Sequence, residues 1–445
     1  MKLKTVIKNV LLGSVAGLAM VGTAAAADLP VKAKAAEYVK ICSTYGAGFY
    51  YIPGTDTCLK VGGYVTADTY YTKVERTVSF VDASGDGVVF GRYKGDPDGQ
   101  FDFYSRAAVQ LDARTQTEYG TLRSYIEARF EQGQNYGYGQ TDDGTTSAVF
   151  SDTTRNRAVL KYGYIQFAGF TFGQATSAFD FWAGDGWYGI RPGNFYSDQS
   201  LNVIQYTADF GNGFSATIAL EDGQAREDDY GFGDFTPFGG SFTTQGQQVP
   251  DIVANIAYEG TWGAFKVSGA YHNIGDTYFT GAPVYEEIYD GFVNGDDSGW
   301  AVLAGVRFDF AETTTLYVEG AYAKGAPGYL GLAGALPVVD YYGDGVAGWY
   351  VGGSLTHYWT PAVFTTLVGS YTASDNYAID PFTNIDFTGY NVGVNIGWKP
   401  VKGLTLVLQY DYLSAEYSGG SAVYATTATD TTEQNRVTFS AKRSF

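Results

Sequence analysis

The side chains able to do chemistry are few, and their types narrow what that chemistry is. The 445 residues hold two histidines, His272 and His357. His272 ends one alternating segment and His357 lies within another, and neither sits in a Ser/Asp pattern that would pair a nucleophile with a base. The chain is therefore not expected to be an enzyme. Asp82, Asp86, Asp96 and Asp98 crowd a glycine-rich stretch and raise the question of calcium. Their spacing does not match a full calcium-binding loop, which also needs a glutamate at its twelfth position. Solvated surface acids are expected instead, with no metal and no cofactor. Cys42 and Cys58 are the two cysteines. In an oxidising compartment a disulfide is the default, two free thiols being the alternative. It would close a loop of about 15 residues and stabilise by roughly 3 kcal/mol on the chain-entropy account.

The remaining candidates are charges that act on passing solutes rather than on bonds. The stretch from Ser177 to Ser200 contains Asp180, Asp185, Asp198 and Arg191 among Phe179, Phe181, Trp182, Trp187 and Tyr188. If the aromatics pin this stretch against an inner wall, its carboxylates face a passage; an exposed loop of solvated acids is the alternative. Arg106, Arg114, Arg123 and Arg129 share the polar parity of two adjacent segments. Set across a narrow waist from the acids, they would create a transverse field that hinders apolar solutes and orients dipolar ones. They could also pair with Asp112, Glu118, Glu127 and Glu131 on their own wall, and both arrangements can hold together.

These charges need a wall to stand on, and the chain supplies alternation rather than helices. Lys2, Lys4 and Lys8 precede an apolar run from Val10 to Val21 and the small residues Ala24 to Ala27, the form of a secretory leader cut after Ala27. The run is shorter than the ~20 residues a spanning helix requires. No later run is long enough either, which leaves an exported soluble protein or an outer-membrane barrel. Composition favours the barrel: 38 Tyr, 29 Phe and 59 Gly, with a mean hydropathy of only −0.13. Tyrosine suits the lipid–water boundary, and a barrel touches lipid with one face of each strand. The formal charge is −19; without the three leader lysines it is about −22. That acidity argues against nucleic acid, whose phosphates need Lys and Arg.

Period-two alternation recurs along the chain. Phe103, Ser105, Ala107, Val109, Leu111 and Ala113 share one parity, and Arg106, Gln110, Asp112, Arg114 and Glu118 the other. Leu122, Ile126, Ala128 and Phe130 repeat this against Arg123, Glu127, Arg129 and Glu131. About 16 such segments are found, near the ~9–11 residues of a tilted membrane strand. Two of them, near 157–168 and 170–176, have ambiguous parity. Connections alternate between short turns, such as Tyr119-Gly120 and Phe210-Gly211-Asn212-Gly213, and long stretches near 72–100, 132–156, 177–200, 222–250, 273–298, 325–346, 373–386 and 414–434. Aromatics at segment ends (Tyr70, Tyr71, Tyr358, Trp359, Trp398, Tyr410 and Tyr412) read as interfacial girdles. The expected organisation is a leader at 1–27, a periplasmic segment with the disulfide at 28–58, and a barrel at 59–445. The fold class is all-β: a transmembrane antiparallel 16-stranded β-barrel with short periplasmic turns and long external loops, integral to the outer membrane and in contact with its lipid. The last segment ends on Phe445, similar to the terminal aromatic signal read by the barrel-assembly machinery; Arg443 departs from that pattern's apolar third position.

Three longer stretches carry a resemblance. They are Glu37 to Cys42 with Gly46 to Tyr64, then Tyr164-Ile165-Gln166-Phe167-Ala168-Gly169-Phe170-Thr171-Phe172-Gly173 running on to Phe181, and Asn202 to Thr207. Together they resemble the porins of the alphaproteobacteria, especially rhizobial and Brucella-type ones, over effectively the whole chain. The resemblance implies a homotrimer of 16-stranded barrels with the third long loop folded into each pore. It implies a general diffusion porin, a water-filled channel for passive passage of small hydrophilic solutes and ions. The acidity adds an expectation of mild cation preference. The alternatives are a substrate-specific channel for sugars or carboxylates, and a non-conducting structural or adhesin barrel. The family often places basic residues around the Tyr-Ile-Gln-Phe stretch, where this chain has Lys161, Gly163 and Gln174, so its usual pore electrostatics do not carry over unchanged.

Overall fold

The computed structural model describes residues 40–82, 99–133, 137–140, 146–149, 155–193, 195–226, 241–244, 249–273, 277–280, 298–332, 347–380, 383–421 and 426–445. The leader, the chain to residue 39, and Asp86, Asp96 and Asp98 lie outside the described residues.

Sixteen strands form the wall. They begin with β1 (Cys58–Asp82), β2 (Gln100–Thr117), β3 (Gly120–Gly133) and β4 (Arg155–Phe167). Next come β5 (Phe170–Thr176), β6 (Ser200–Gly211), β7 (Phe214–Glu221) and β8 (Asp251–Gly260). Then follow β9 (Gly263–Asn273), β10 (Ser298–Phe310), β11 (Thr314–Lys324) and β12 (Ala347–Thr360). The last four are β13 (Val363–Asp380), β14 (Thr383–Val401), β15 (Leu404–Ser421) and β16 (Thr426–Ser444). Each pairs antiparallel with the next, and β16 pairs with β1, Tyr64 opposite Ser444 through to Asp82 opposite Thr426. The sheet therefore closes on itself. Closure is what lets strands cross lipid, because an open edge would leave backbone N–H and C=O groups without partners.

Alternation sets the two faces, and β14 shows it most clearly. Tyr390, Val392, Val394, Ile396 and Trp398 are exposed on the outside of the wall, while Asn391 and Asn395 are buried within. Aromatics gather in two outward belts. Trp300–Tyr322, Trp349–Tyr371 and Tyr390–Tyr412 neighbour one another in one belt. Tyr258–Trp262, Trp262–Phe308 and Phe214–Tyr258 do so in the other. From Tyr390 to Trp398 the chain advances about 26 Å along the strand, or about 20 Å along the membrane normal at a tilt of about 40°. That is close to the ~25 Å apolar band of outer-membrane barrels. Tyr70 and Tyr358, expected in the girdles, point inward instead. The Tyr70 hydroxyl accepts the N–H of Ile190 at 2.6 Å, and Tyr358 accepts from Lys399 Nζ at 2.8 Å.

The ambiguous parity of β4 has a local cause. Glu127 on β3 faces Tyr162, but its successor Ala128 faces Leu160, so Lys161 is an extra residue in the ladder. This bulge reverses the alternation. Leu160 and Ile165 are both exposed outward although their parities differ, and Tyr162, Tyr164 and Gln166 turn inward.

Loop lengths also differ from expectation at one side of the barrel. The stretches at 373–386 and 414–434, read as long loops, are mostly strand: β13–β14 and β15–β16 run on to Asp380, Thr383, Ser421 and Thr426. β1 likewise continues to Asp82. Their Thr, Ser and Gly content looks loop-like, but each extension is paired along a neighbouring strand, β13 with β14, β14 with β15, β15 with β16 and β16 with β1, and paired backbone outweighs the weak local preference. At 18–25 residues these strands exceed the ~9–11 that cross a bilayer, so they project beyond it. The opposite connections are tight. At β6–β7, Asn212 and Gly213 both have positive φ, 52° and 86°, the mirror-image turn that matches strand twist.

Ahead of the wall, Cys42 and Cys58 are disulfide-bonded. Cys58 is the first residue of β1, so the bond holds the preceding segment at the turn end of the barrel. Phe49 is buried with the two cysteines, Tyr45 and Tyr51 pack on them, and the Arg114 guanidinium lies over the Phe49 ring at 5.0 Å. Two outcomes follow. Chymotrypsin is expected to cut near Tyr45 to Tyr51 in the Cys42→Ser variant and not in the oxidised parent, with the barrel intact in both; equal resistance of both proteins would remove the bond's anchoring role. Val394→Arg, between the two belts, is expected to destabilise the lipid-inserted barrel by about 2–4 kcal/mol, read from urea unfolding in vesicles.

Candidate functional site

The chain leaves the wall early at β5, whose seven residues make it the shortest barrel strand. From Ser177 to Gln199 it runs inside the barrel and is tied to the wall at each step. Glu221, the end of β7, accepts from Ser177 Oγ and the Ala178 N–H, both at 2.7 Å. Asn255 on β8 donates to the Ala178 carbonyl at 2.6 Å, and Lys266 on β9 to that of Asp180 at 2.7 Å. The Trp182 N–H reaches Glu319 on β11 at 2.7 Å and its indole N–H reaches Ser354 on β12 at 3.1 Å. Asn395 and Asn391 on β14 donate to Gly186 and Gly193 at 2.9 and 2.7 Å. The Tyr188 N–H meets Gln409 on β15 at 3.1 Å, and Ile190 meets Tyr70 on β1. The inward-folded loop thus pads the wall from β8 round to β1.

Its aromatics fit because the wall under them has no side chains. A Cβ on Gly393 would lie 2.2 Å from the Trp187 ring, one on Gly352 2.7 Å from Trp182, and one on Gly389 2.7 Å from Phe195. Along β14 the inward positions read Gly389, Asn391, Gly393, Asn395, Gly397. Each glycine admits a ring, and the two amides each bind a loop carbonyl. Alternating glycine and amide at one parity is a signal the sequence does carry.

The loop's charged residues do not share one environment. Asp180 is buried, against the expectation that it faces the passage. It accepts from Ser197 Oγ, from the Gln199 N–H at 2.6 Å, and from Arg226 at 3.4 Å. Arg226, just after β7, is itself fully buried, donates to Ser177 at 2.8 Å and Ser197 at 3.0 Å, and lies over the Tyr329 ring at 3.9 Å. Burial opposes its charge, but Asp180, Tyr329 and Glu221 around it more than offset this and hold its pKa above the usual arginine range. The Tyr329 hydroxyl donates to Asp251 at 2.7 Å, which also contacts His272 at 2.8 Å. Asp180 and His272 therefore belong to one buried cluster that secures the loop. Nothing in the sequence marks Arg226 and Tyr329, because they lie in stretches with no periodicity. Asp198 pairs with Arg191 within the loop. Asp185 is exposed.

The four wall arginines face the interior, and each has a carboxylate on its own wall. Arg106 meets Glu131 at 2.6 Å and Arg129 meets Glu127 at 2.7 Å. Arg114 and Arg123 stand directly opposite across β2 and β3, a repulsive placement. Asp112 relieves it, at 2.7 Å from one and 3.0 Å from the other. Three carboxylates thereby offset the four arginines, leaving one positive charge shared by Arg114 and Arg123. His357 on β12 contacts the Thr314 hydroxyl at 2.8 Å. Among the described residues, no group of three or more His, Cys, Asp or Glu side chains is placed to hold a metal ion.

Comparison with known proteins agrees with this architecture. The porin subfamily pattern matches residues 28–441. The chain is 31% identical to porin Omp2b of Brucella neotomae over 346 residues, 71% of this chain and 84% of that one. It is 30% identical to porin Omp2b of Brucella suis biovar 1 (strain 1330), covering 72% and 75% respectively. Among solved structures, the outer membrane channel DcaP of Acinetobacter baumannii superposes with a TM-score of 0.57 at 16% identity, covering 89% of this chain and 99% of that one, a likeness of fold. With a closed sixteen-stranded barrel and a family match over nearly its full length, the chain belongs to the porin subfamily, as an integral outer-membrane channel protein.

Proposed function

We propose that small hydrophilic solutes and ions diffuse passively along a water-filled passage between the inward-folded loop and the wall formed by β2 to β5. The observation that supports this most directly is the loop's path. It is tethered to the wall from β8 to β1, which leaves the arginine-bearing side of β2 and β3 uncovered by those bonds. On this reading Asp185, with the Arg191–Asp198 pair, lines the narrow level from one side, and Arg106, Arg114, Arg123 and Arg129 from the other. Because three neighbouring carboxylates offset all but one of the four arginine charges, the exposed Asp185 and the overall acidity tip the balance toward mild cation preference. Transport of this kind forms and breaks no bonds. Membership of the porin subfamily supports a homotrimer.

Single-channel recording in a potassium chloride gradient tests the reading. The expected reversal potential shows modest cation preference, reduced or abolished by Asp185→Asn with conductance kept. Firm anion preference in the parent overturns the selectivity reading, and absence of conductance from pure protein overturns the channel reading.

Phe445 we assign to recognition by the barrel-assembly machinery. Its N–H bonds the Gly63 carbonyl at 3.1 Å and the residue remains 67% exposed at the barrel's end, accessible before insertion into lipid. Deleting Phe445 is expected to lower the heat-modifiable, membrane-inserted fraction several-fold in cells while leaving in vitro folding into detergent unchanged. An unaltered cellular fraction would remove that role.

A further inference from the structure

One concavity in the lumen wall has a chemistry of its own. A cavity of about 400 Å³ opens where β3, β4, β5 and β6 meet, lined by Arg123, Tyr125, Tyr162, Tyr164, Gln166 and Gln205. The volume falls within the ~300–1,000 Å³ of small-molecule sites. Its edge includes Ala175 and Thr176, the last residues before the chain turns inward at Ser177. A solute crossing the narrow level passes beside it.

Three half-buried tyrosines form its floor. The rings of Tyr125 and Tyr164 stack at 5.4 Å, and those of Tyr125 and Tyr162 lie 6.3 Å apart. The Arg123 guanidinium lies 5.1 Å from the Tyr125 ring centre and 5.6 Å from that of Tyr164. The bulge at Lys161 creates this grouping: without it, Tyr162 and Tyr164 would point into lipid.

The polar groups are largely committed, and how they are committed selects the ligand. Arg123 donates twice to Asp112, at 3.0 Å each, and once to Gln166 at 2.9 Å. Its charge is partly offset by a carboxylate that it shares with Arg114, and a solute carboxylate would meet Asp112 as a repelling neighbour. The guanidinium still carries more N–H groups than those three bonds use. Gln205 Oε1 is buried with no hydrogen-bond partner among the described residues, so the site offers an acceptor that requires an O–H or N–H donor. A ring face to lie against aromatics, hydroxyls to donate and accept, and no net charge are the properties of a sugar.

We infer that the Tyr125–Tyr162–Tyr164 patch, with Arg123 and Gln205, is a docking subsite for uncharged ring-shaped polyhydroxylated solutes on their way through the channel. The inference rests on the open-lumen reading above. Apolar ring C–H groups of the solute lie on the tyrosine faces, and its hydroxyls satisfy Gln205 and the free guanidinium N–H groups. The subsite slows such a solute slightly at the narrow level and raises its local concentration there, which favours its flux from dilute solution.

Ion current through the purified barrel in planar bilayers provides the test, with maltose as the probe and benzoate as the planar anionic control. Maltose is expected to reduce the current saturably, and benzoate at equal concentration to have a much weaker effect. The Tyr125→Ala/Tyr164→Ala double variant should need about fivefold more maltose for half-block with its potassium chloride conductance kept. Tyr125→Phe/Tyr164→Phe, which keeps the rings, should stay near the parent, and Gln205→Leu should weaken block on its own. Undiminished current in the parent at saturating maltose overturns the subsite whether or not the alanine variant folds, as does stronger block by benzoate. In either case measurable conductance leaves the channel reading standing, whereas no conductance would remove both.

Discussion

Every feature of this chain depends on one constraint: backbone N–H and C=O groups have no water to bond inside a bilayer. A sheet meets it only by closing, so the first strand must find the last. Closure then fixes the rest. The outer face becomes apolar and banded with aromatics, and the inner face becomes an enclosed polar surface. On that surface charges and amides can be arranged around a passage, which an open sheet could not provide.

The interior is shaped by a second segment that the wall alone would not dictate. The chain from Ser177 to Gln199 gives up wall hydrogen bonds and regains them from inward side chains: Glu221, Glu319, Asn391, Asn395, Gln409 and Tyr70. These are backbone groups bonded to side chains of distant strands, so the loop's position is set by the whole barrel rather than by its own sequence. Arg226 and Asp180 add a buried ion pair. Such a pair contributes little net stability unless its desolvation is offset, and here the serines and the Tyr329 ring supply that offset.

Much of this was legible in the sequence, and the failures have physical causes. The faces of β2 and β3 follow from simple alternation, because each residue's environment is decided by parity alone. Parity failed at β4, where one bulged residue, Lys161, reverses it, and bulges have no compositional mark. Tyr70 fits a girdle by type alone because tyrosine suits both a lipid interface and a hydrogen bond to a buried backbone; only its inward direction decides. The sequence points Asp180 toward the passage because its type fits that role, but its partners Ser197, Gln199 and Arg226 come together only in three dimensions. Only the outer parts of β13 to β16, at 373–386 and 414–434, look like loops in the sequence, because pairing, not propensity, extends them. The glycine–asparagine alternation of β14 was present throughout, and it marks a wall built to receive something.

The β1–β16 pairing has a consequence for how the molecule assembles. Tyr64–Asp82 and Thr426–Ser444 are separated by most of the chain, yet they form one of the longest ladders in the barrel. Bringing such remote segments together costs loop-closure entropy, which on a logarithmic law reaches about 5 kcal/mol for several hundred residues. A ladder of only the length of β5 would return little against that debt at the moment of meeting. A tall seam returns much more, and from its first few pairs it can zip upward. A long ladder thus stands where the closing event is entropically hardest, so the height of the seam makes the final joining of the cylinder downhill and slow to reopen.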